Sequence, residues 1–468
     1  MQPATIEIGK RGWPVSGPVL AVITACLSLG LAVAILVLPP AATIALVVGA
    51  VVALITLREP YYGLLAVIAL EFLRPQEIFP ALAPLHLPRV VTLWVACVWL
   101  LRSAVLRKAP VARDRQNAVL VGILVIAALS MIGTFWRGAA FRALLDLTKK
   151  VVAFFLIANL AAERPKVRGL VWAFVLFTGW LALNQVLAFR SALSGSMMAR
   201  IGGGTDSFLG NTIDFAVALA VILPYAVFLI FAERGRALRA LAFLLALLFV
   251  ASMVATGARA GALGLLVLAF VIWLKLPRKA ITIALLPVIL VGSWYLSPAA
   301  YRERVLSIAT YQEDASATGR IENWRAAQRM LFDRPLLGVG IGNFPIAYGV
   351  AYSPPGEERW ASVHNVVLQA AAELGLLGLF AYGLLTCFII GDNRRTRRLA
   401  DEVGGERGVW YRHVAHGVDV ALVGYLVTSL FATTLYYPHL YLIAGLAVAL
   451  KHAAQADAAE AGAEGATT

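Results

Sequence analysis

The sequence predicts an all-α polytopic membrane protein of about 12–14 transmembrane helices with one long polar loop. Three observations carry this expectation. The chain is 60% hydrophobic and only 14% charged, with a mean hydropathy of +0.81, whereas soluble domains run at about 45–50% apolar and about 25% charged. Apolar stretches of roughly 17–25 residues recur from Val19 to Leu450, the length that carries a helix across about 30 Å of hydrocarbon. One extended polar segment, 298–362, interrupts them. A soluble fold is excluded.

The candidate spans, in order, are 19–38, 41–57, 61–80, 88–106, 117–136, 143–162, 168–189, 211–232, 238–256, 260–275, 280–297, 363–390, 414–433 and 436–451. The first apolar run exceeds the usual 7–15 residues of a signal-peptide core and ends in Pro39-Pro40, so it reads as a membrane helix. Organisation follows: N-terminal transmembrane helices over 1–190, core helices with arginine-bearing links over 191–297, the long loop at 298–362, and C-terminal transmembrane helices over 363–452. The small polar segment 453–468 is expected to be disordered.

The net charge of +14 raises nucleic acid as a partner, but the Lys and Arg residues sit in short links between apolar spans rather than on one face. They read as orientation signals. An N-terminus in the cytoplasm puts Lys10/Arg11, Arg58, Arg102–Arg115, Arg164–Arg168, Arg234–Arg239, Lys275–Lys279, Arg394–Arg412 and Lys451 on that side. Both termini are then cytoplasmic, and the partners are membrane lipids, not nucleic acid. Cys26, Cys97 and Cys387 all fall in apolar spans, which leaves neither a disulfide framework nor a zinc cluster.

The opposite side receives the links near 81–87, 190–210, 257–259 and 434–436, together with the loop 298–362. That loop holds seven basic and seven acidic residues, so single arginines matter more there than a general field. Within it, Gly319–Phe332 alternates polar and apolar residues at helical spacing, with Ile321, Trp324, Gln328 and Leu331 in one stripe, and Asp333-Arg334-Pro335 breaks the pattern. A short amphipathic helix on the membrane or over the bundle is expected. Gly338-Val339-Gly340-Ile341-Gly342 follows as a turn; without a preceding strand or a following Lys-Ser/Thr it is not a nucleotide phosphate loop.

Ionisable groups at the edge of apolar spans are costly and so mark candidate sites. His364, in Ser362-Val363-His364-Asn365, is the one histidine at the long loop or its membrane edge. A neutral imidazole there suits a proton acceptor, or it simply caps the helix or binds headgroups. Glu373, nine positions on, lies on the other side of a continuous helix and is not its dyad partner. Arg259, in Thr256-Gly257-Ala258-Arg259-Ala260-Gly261, presents a fork of donors suited to a diphosphate, or snorkels to headgroups. Arg200 is the one cation of the Gly-rich stretch Arg200–Asn211 and either folds over a substrate or pairs with Asp206. Arg320 and Trp324, one turn apart, either grip phosphate and pack on a sugar or belong to an ordinary amphipathic helix.

With less weight, Glu71 with Arg74, and Arg142, Asp146 and Lys150 at successive i,i+4 steps, are expected to form intramembrane ion pairs. Lys149 has no partner in that series and is a candidate for the cavity. His413 and His416 lack a third ligand for a metal, and no cofactor is expected.

Gly319-Arg320 with Trp324, then Asp333–Gly340 with Asn343-Phe344, then His364-Asn365 with Glu373-Leu374-Gly375 resemble, in that order and spacing, the long periplasmic loop and re-entry helix of the O-antigen ligase and polymerase superfamily. The similarity covers about 200–385. Arg74-Pro75-Gln76 is similar to members linked to exosortase systems. The resemblance implies a GT-C-like, metal-independent glycosyltransferase of the bacterial inner membrane with an undecaprenyl diphosphate-linked glycan as donor. It implies His364 as base on the acceptor hydroxyl and Arg259, Arg200 and Arg320 on the diphosphate; Trp324, Asn365 and Lys149 are expected beside them as substrate-binding residues. The superfamily's link usually reads Thr-Gly-Ser-Arg; Ala258 departs from it, and Arg259 keeps the cation. The acceptor is left open between a lipid A core (ligase), a carrier-linked glycan (polymerase) and a protein hydroxyl (protein O-oligosaccharyltransferase). A transporter of lipid-linked sugars is the alternative of another class; it would not need His364.

Overall fold

A computed structural model describes residues 40–75, 80–106, 114–193, 211–276, 315–354 and 360–467, with positions 25, 30 and 32 besides. The described residues are helical with no strand, and the chain divides into two compact units, Met1–Pro110 and Val111–Thr468. It is an all-α multi-pass membrane protein. Among the described residues six helices are long and apolar enough to cross a membrane: Leu82–Val105, Arg115–Gly133, Arg164–Leu187, Thr212–Ala232, Arg236–Ala255 and Val366–Val403. Of the fourteen expected spans, twelve coincide with a helix, while 280–297 and, but for positions 25, 30 and 32, 19–38 lie outside the described residues.

In the first unit, α1 (Pro40–Arg58), α2 (Pro60–Leu73) and α3 (Leu87–Val105) pack together. Gly63 lets Thr56 and Val95 approach α2, since a Cβ there would lie 2.6–2.7 Å from both side chains. Arg102 donates to the Arg58 carbonyl at 2.7 Å, so the basic ends of α1 and α3 meet, as the charge pattern requires. The expected span 61–80 is shorter: Arg74 turns left-handed at φ 46° and closes α2. Its Nε donates to the Glu71 main-chain carbonyl at 3.3 Å.

The second unit runs α4 (Arg115–Ser130), α5 (Arg137–Leu160), α6 (Arg164–Leu193), α7 (Thr212–Ala232), α8 (Arg236–Ala255), α9 (Arg259–Lys275), α10 (Ala315–Asp333), α11 (Val366–Val403), α12 (Gly405–Ser429) and α13 (Pro438–Thr467). Buried on nearly every side, α7 is the axis, with α6, α8, α9 and α12 around it; α13 fills the space between α5 and α11. Small residues set the closest crossings, as in other membrane bundles: Gly424 meets the Ala220 carbonyl, Gly417 meets Tyr225, and Gly445 meets Ile157.

One end of this unit gathers the basic links. Arg168 and Trp172 donate to Glu233 at 2.5–2.9 Å, Lys275 and Arg397 reach Asp419 at 3.0 and 2.5 Å, and Lys451 bonds Asp114 and Asp392. These contacts gather residues on or capping seven helices, α4, α6, α7, α9, α11, α12 and α13, at a single end. Sequence reading took them as orientation signals alone; the structure adds buried carboxylate partners supplied by distant helices.

Two further expectations are corrected. Lys149 pairs with Asp146 on α5, because an i,i+3 step also brings side chains together on a helix, and Arg142 instead lies over the Trp136 ring, 5.1 Å from its centroid. The segment 453–467 is not disordered but continues α13. Its alanines favour helix, Ala453 and Ala454 are buried, and Asp457 accepts a bond from the Tyr411 hydroxyl at 3.1 Å.

Candidate functional site

The site is built at the other end of the second unit, where the long loop returns. Buried Asn323, Ala326, Ala327 and Met330 face inward from α10. The last three pack with Val339, Phe344, Ala347, Tyr348, Tyr352, Val363 and Ala372 in a satellite core, and Trp324 and Leu368 lie at its edge. The buried stripe is therefore rotated from the expected one: Ile321 and Gln328 are exposed. The small Ala326 and Ala327 allow close approach to the loop, a preference that hydrophobicity alone does not reveal. Tyr352 donates to Asp333 at 2.8 Å and its carbonyl accepts from Arg329 at 2.8 Å, which fixes the far end of α10.

The near end of α10 holds the segment before His364. Asn323 Nδ2 donates to the Ser362 carbonyl at 2.9 Å and the Trp324 indole to the Val363 carbonyl at 3.0 Å. Half-buried His364 then takes a left-handed backbone, φ 49°, uncommon outside glycine. Its N–H donates to Thr433 Oγ1 at 3.1 Å. Arg320, one turn before Asn323 and Trp324, acts on the imidazole by its charge: burial first, and Arg320 second, hold His364 below the ordinary histidine pKa. Both causes favour the neutral imidazole.

Asn365 caps α11, its Oδ1 accepting the Val367 and Leu368 N–H groups at 3.0 Å each. Beyond the first turns α11 breaks at Gly375, φ 66°. The Asp333–Gly342 stretch fills the break: Val339 N–H donates to the Ala372 carbonyl at 2.8 Å, Gly340 N–H to the Glu373 carbonyl at 3.1 Å, and Leu376 N–H to the Pro335 carbonyl at 2.7 Å. Gly338 and Gly375 are required there, because a Cβ on either would collide with the facing backbone. Buried Glu373 accepts from the N–H groups of Gly342 (2.9 Å) and Phe344 (3.2 Å) and from the Tyr436 hydroxyl (2.6 Å). The Gly turn's donors are thus committed within the protein, which agrees with its not being a phosphate loop, and Glu373 serves the turn rather than His364.

Arg259 opens α9 after a tight turn in which Gly257 has φ 62° and Thr256 Oγ1 accepts the Ala258 N–H at 3.2 Å. The first turns of α9 pack through Gly261 on Ala216 of α7 and through Gly264 on Thr428 of α12. Thr428 leads directly into the link carrying Thr433. Arg259 and His364 therefore share one end of the bundle, with Arg320 beside the histidine. Arg200 lies outside the described residues. Lys149, paired with Asp146, is not the lone cation expected. Among the described residues no three His, Cys, Asp or Glu side chains gather as a metal site would need.

Sequence reasoning missed the link between α12 and α13. Tyr436 reaches Glu373, Leu435 N–H donates to Gln369 Oε1 at 3.1 Å, and Tyr437 donates to Asp214 at 3.0 Å. The adjacent tyrosines before Pro438 were the available signal for a bonded link rather than a bare turn.

Residues 241–383, from α8 to the broken α11, match the family model of the O-antigen ligases. The likeness to that family covers this segment, under a third of the chain. The match takes in Arg259, Arg320, Trp324, the Gly turn, His364 and Glu373, and leaves Arg200, Lys149 and Thr433 outside it. It implies an O-antigen ligase-type glycosyltransferase, with a lipid-linked glycan and an acceptor as partners in general terms. No curated protein matches the chain.

Proposed function

We propose that this O-antigen ligase-like chain transfers a glycan from an undecaprenyl diphosphate carrier to an acceptor hydroxyl, such as that of a lipid A core, at the periplasmic face of the bacterial inner membrane. The observation that supports it is the half-buried His364 held at its main chain by α10 and by Thr433, near enough to Arg320 to feel its charge. The acceptor oxygen attacks the anomeric carbon, its proton passes to the His364 imidazole, and the bond to the diphosphate breaks with the electron pair on the leaving oxygen. Arg259, Arg200 and Arg320 neutralise that developing charge, so neither a metal nor a general acid is required. Trp324 offers its ring to the glycan while its N–H holds Val363. Asn365 acts by capping the helix behind His364. The end rich in paired cations faces the cytoplasm, along with both termini.

The test is an assay of the purified full chain with an undecaprenyl diphosphate-linked glycan and three acceptors in parallel: lipid A core, a second carrier-linked glycan, and a Ser/Thr-bearing protein. Transfer to lipid A core is expected, and His364→Ala should bind donor normally yet transfer about a hundredfold more slowly. Transfer by His364→Ala at the parental rate overturns the mechanism. Product on one of the other acceptors alone reassigns the acceptor.

A further inference from the structure

We infer that Thr433 is a positioning residue for His364, and that the link between α12 and α13 is the plate on which the histidine is set. The inference rests on the functional reading above. His364 is pulled from both sides. From α10, Asn323 and Trp324 hold the carbonyls of Ser362 and Val363. From the far side, Thr433 Oγ1 takes the His364 N–H at 3.1 Å, across 69 residues of sequence. Between these grips the histidine backbone has φ 49°, a conformation that costs a non-glycine residue on the order of 1 kcal/mol or more. Such a conformation persists only where the surroundings over-determine it.

The link is itself fixed by side chains from four helices. Leu435 N–H is held by Gln369 of α11, the Thr434 carbonyl by Tyr425 of α12 at 3.3 Å, the Leu435 carbonyl by Tyr441 of α13 at 3.0 Å, and Tyr437 by Asp214 of α7. Tyr436 bonds Glu373. A threonine on a surface turn would be a poor anchor; this one sits on a link whose neighbours are bonded on every side. Its hydroxyl oxygen is the acceptor that keeps the His364 N–H satisfied and so holds the backbone from which the imidazole projects. The groups facing the imidazole's charge state are Arg320 and the burial around it; Thr433 touches only the main chain, so it works through geometry.

The experiment uses the full chain in detergent and two variants, Thr433→Val, which keeps the shape and loses the acceptor, and Thr433→Ser, which keeps it. Peptide-resolved modification by diethyl pyrocarbonate across pH 5–8 reads His364 directly, with His413, stacked on Phe228, and His416, tilted against the same ring, as internal controls. Thr433→Val should modify His364 severalfold faster, with a midpoint moved up toward ordinary histidine, and should lower kcat about tenfold with the KM for undecaprenyl diphosphate glycan nearly unchanged; Thr433→Ser should match the parent. Unchanged His364 modification in Thr433→Val overturns the inference while leaving the functional reading intact. So does faster modification of all three histidines, which marks general loosening. Parental transfer by His364→Ala overturns the functional reading, and the inference with it. If Thr433→Val does not fold, Thr433→Ala is read in the same way.

Discussion

The Trp324 indole N–H meets the Val363 carbonyl at 3.0 Å, so the amphipathic helix of the long loop grips the chain one residue before His364. Two residues that the sequence places 39 positions apart thereby fix the entry of the loop into the bundle. Trp324→Phe keeps the ring's packing and removes the donor. It should destabilise by about 1 kcal/mol, the usual worth of such a bond, and slow glycan transfer more than it weakens donor binding. Thermal unfolding and transfer kinetics on the same preparation check both; unchanged kcat would detach Trp324 from the site.

The Arg320 charge predicts a direction of pH dependence. Because burial and Arg320 hold His364 below the ordinary histidine value, the neutral base persists into mildly acidic solution, and the rate should fall only once pH drops through the lowered pKa. Arg320→Gln removes the repulsive charge, raises the histidine pKa, and should move the acid limb of kcat upward. An acid limb that stays in place shows that Arg320 does not act on the imidazole.

At Gly375, φ 66° combines with the facing backbone of Leu336 and Leu337. Gly375→Ala should therefore cost roughly 2–4 kcal/mol through strain and collision and reduce the folded yield, whereas Gly391→Ala, with open space at its Cβ, should be tolerated. Equal melting of the two variants would show that the broken helix does not depend on glycine.

Topology is tested by labelling. Phe332, 80% exposed at the end of α10, and Arg398, exposed on the basic side of α11, are replaced by cysteine one at a time, in a background with Cys26, Cys97 and Cys387 changed to alanine. Phe332→Cys should react with a membrane-impermeant maleimide in cells with a permeable outer membrane. Arg398→Cys should react only after the inner membrane is opened. The reverse pattern turns the chain over and removes the periplasmic reaction.

Much of the fold was legible because hydropathy reports directly on the bilayer: each expected span within the described residues holds a helix. What misled was local spacing. The i,i+4 series on α5 hid the i,i+3 pair of Lys149 with Asp146, and the apolar stripe of Ile321 and Leu331 hid that alanines make the close contact on α10. For the site, Arg320, Trp324, His364 and Glu373 stood in sequence order, but their relations did not. The partners Thr433, Tyr436 and Tyr437 come from a link that a hydropathy profile shows only as a gap between spans. No periodicity within one helix encodes a bond across 69 residues.

The break at Gly375 also divides the labour of one continuous stretch. At about 1.5 Å per residue, Val366–Leu374 is only about 13 Å long, less than half the hydrocarbon thickness of about 30 Å. Leu376–Val403, about 42 Å long, is sufficient to cross by itself. The longer part is thus sufficient as an anchor by itself, and the shorter part carrying Asn365 behind His364 is tied at the break by main-chain bonds to the Pro335–Gly340 segment. Lipid thickness bears on the longer part, so substitutions on the lipid side of Leu376–Val403 can adapt the chain to a different bilayer without moving His364.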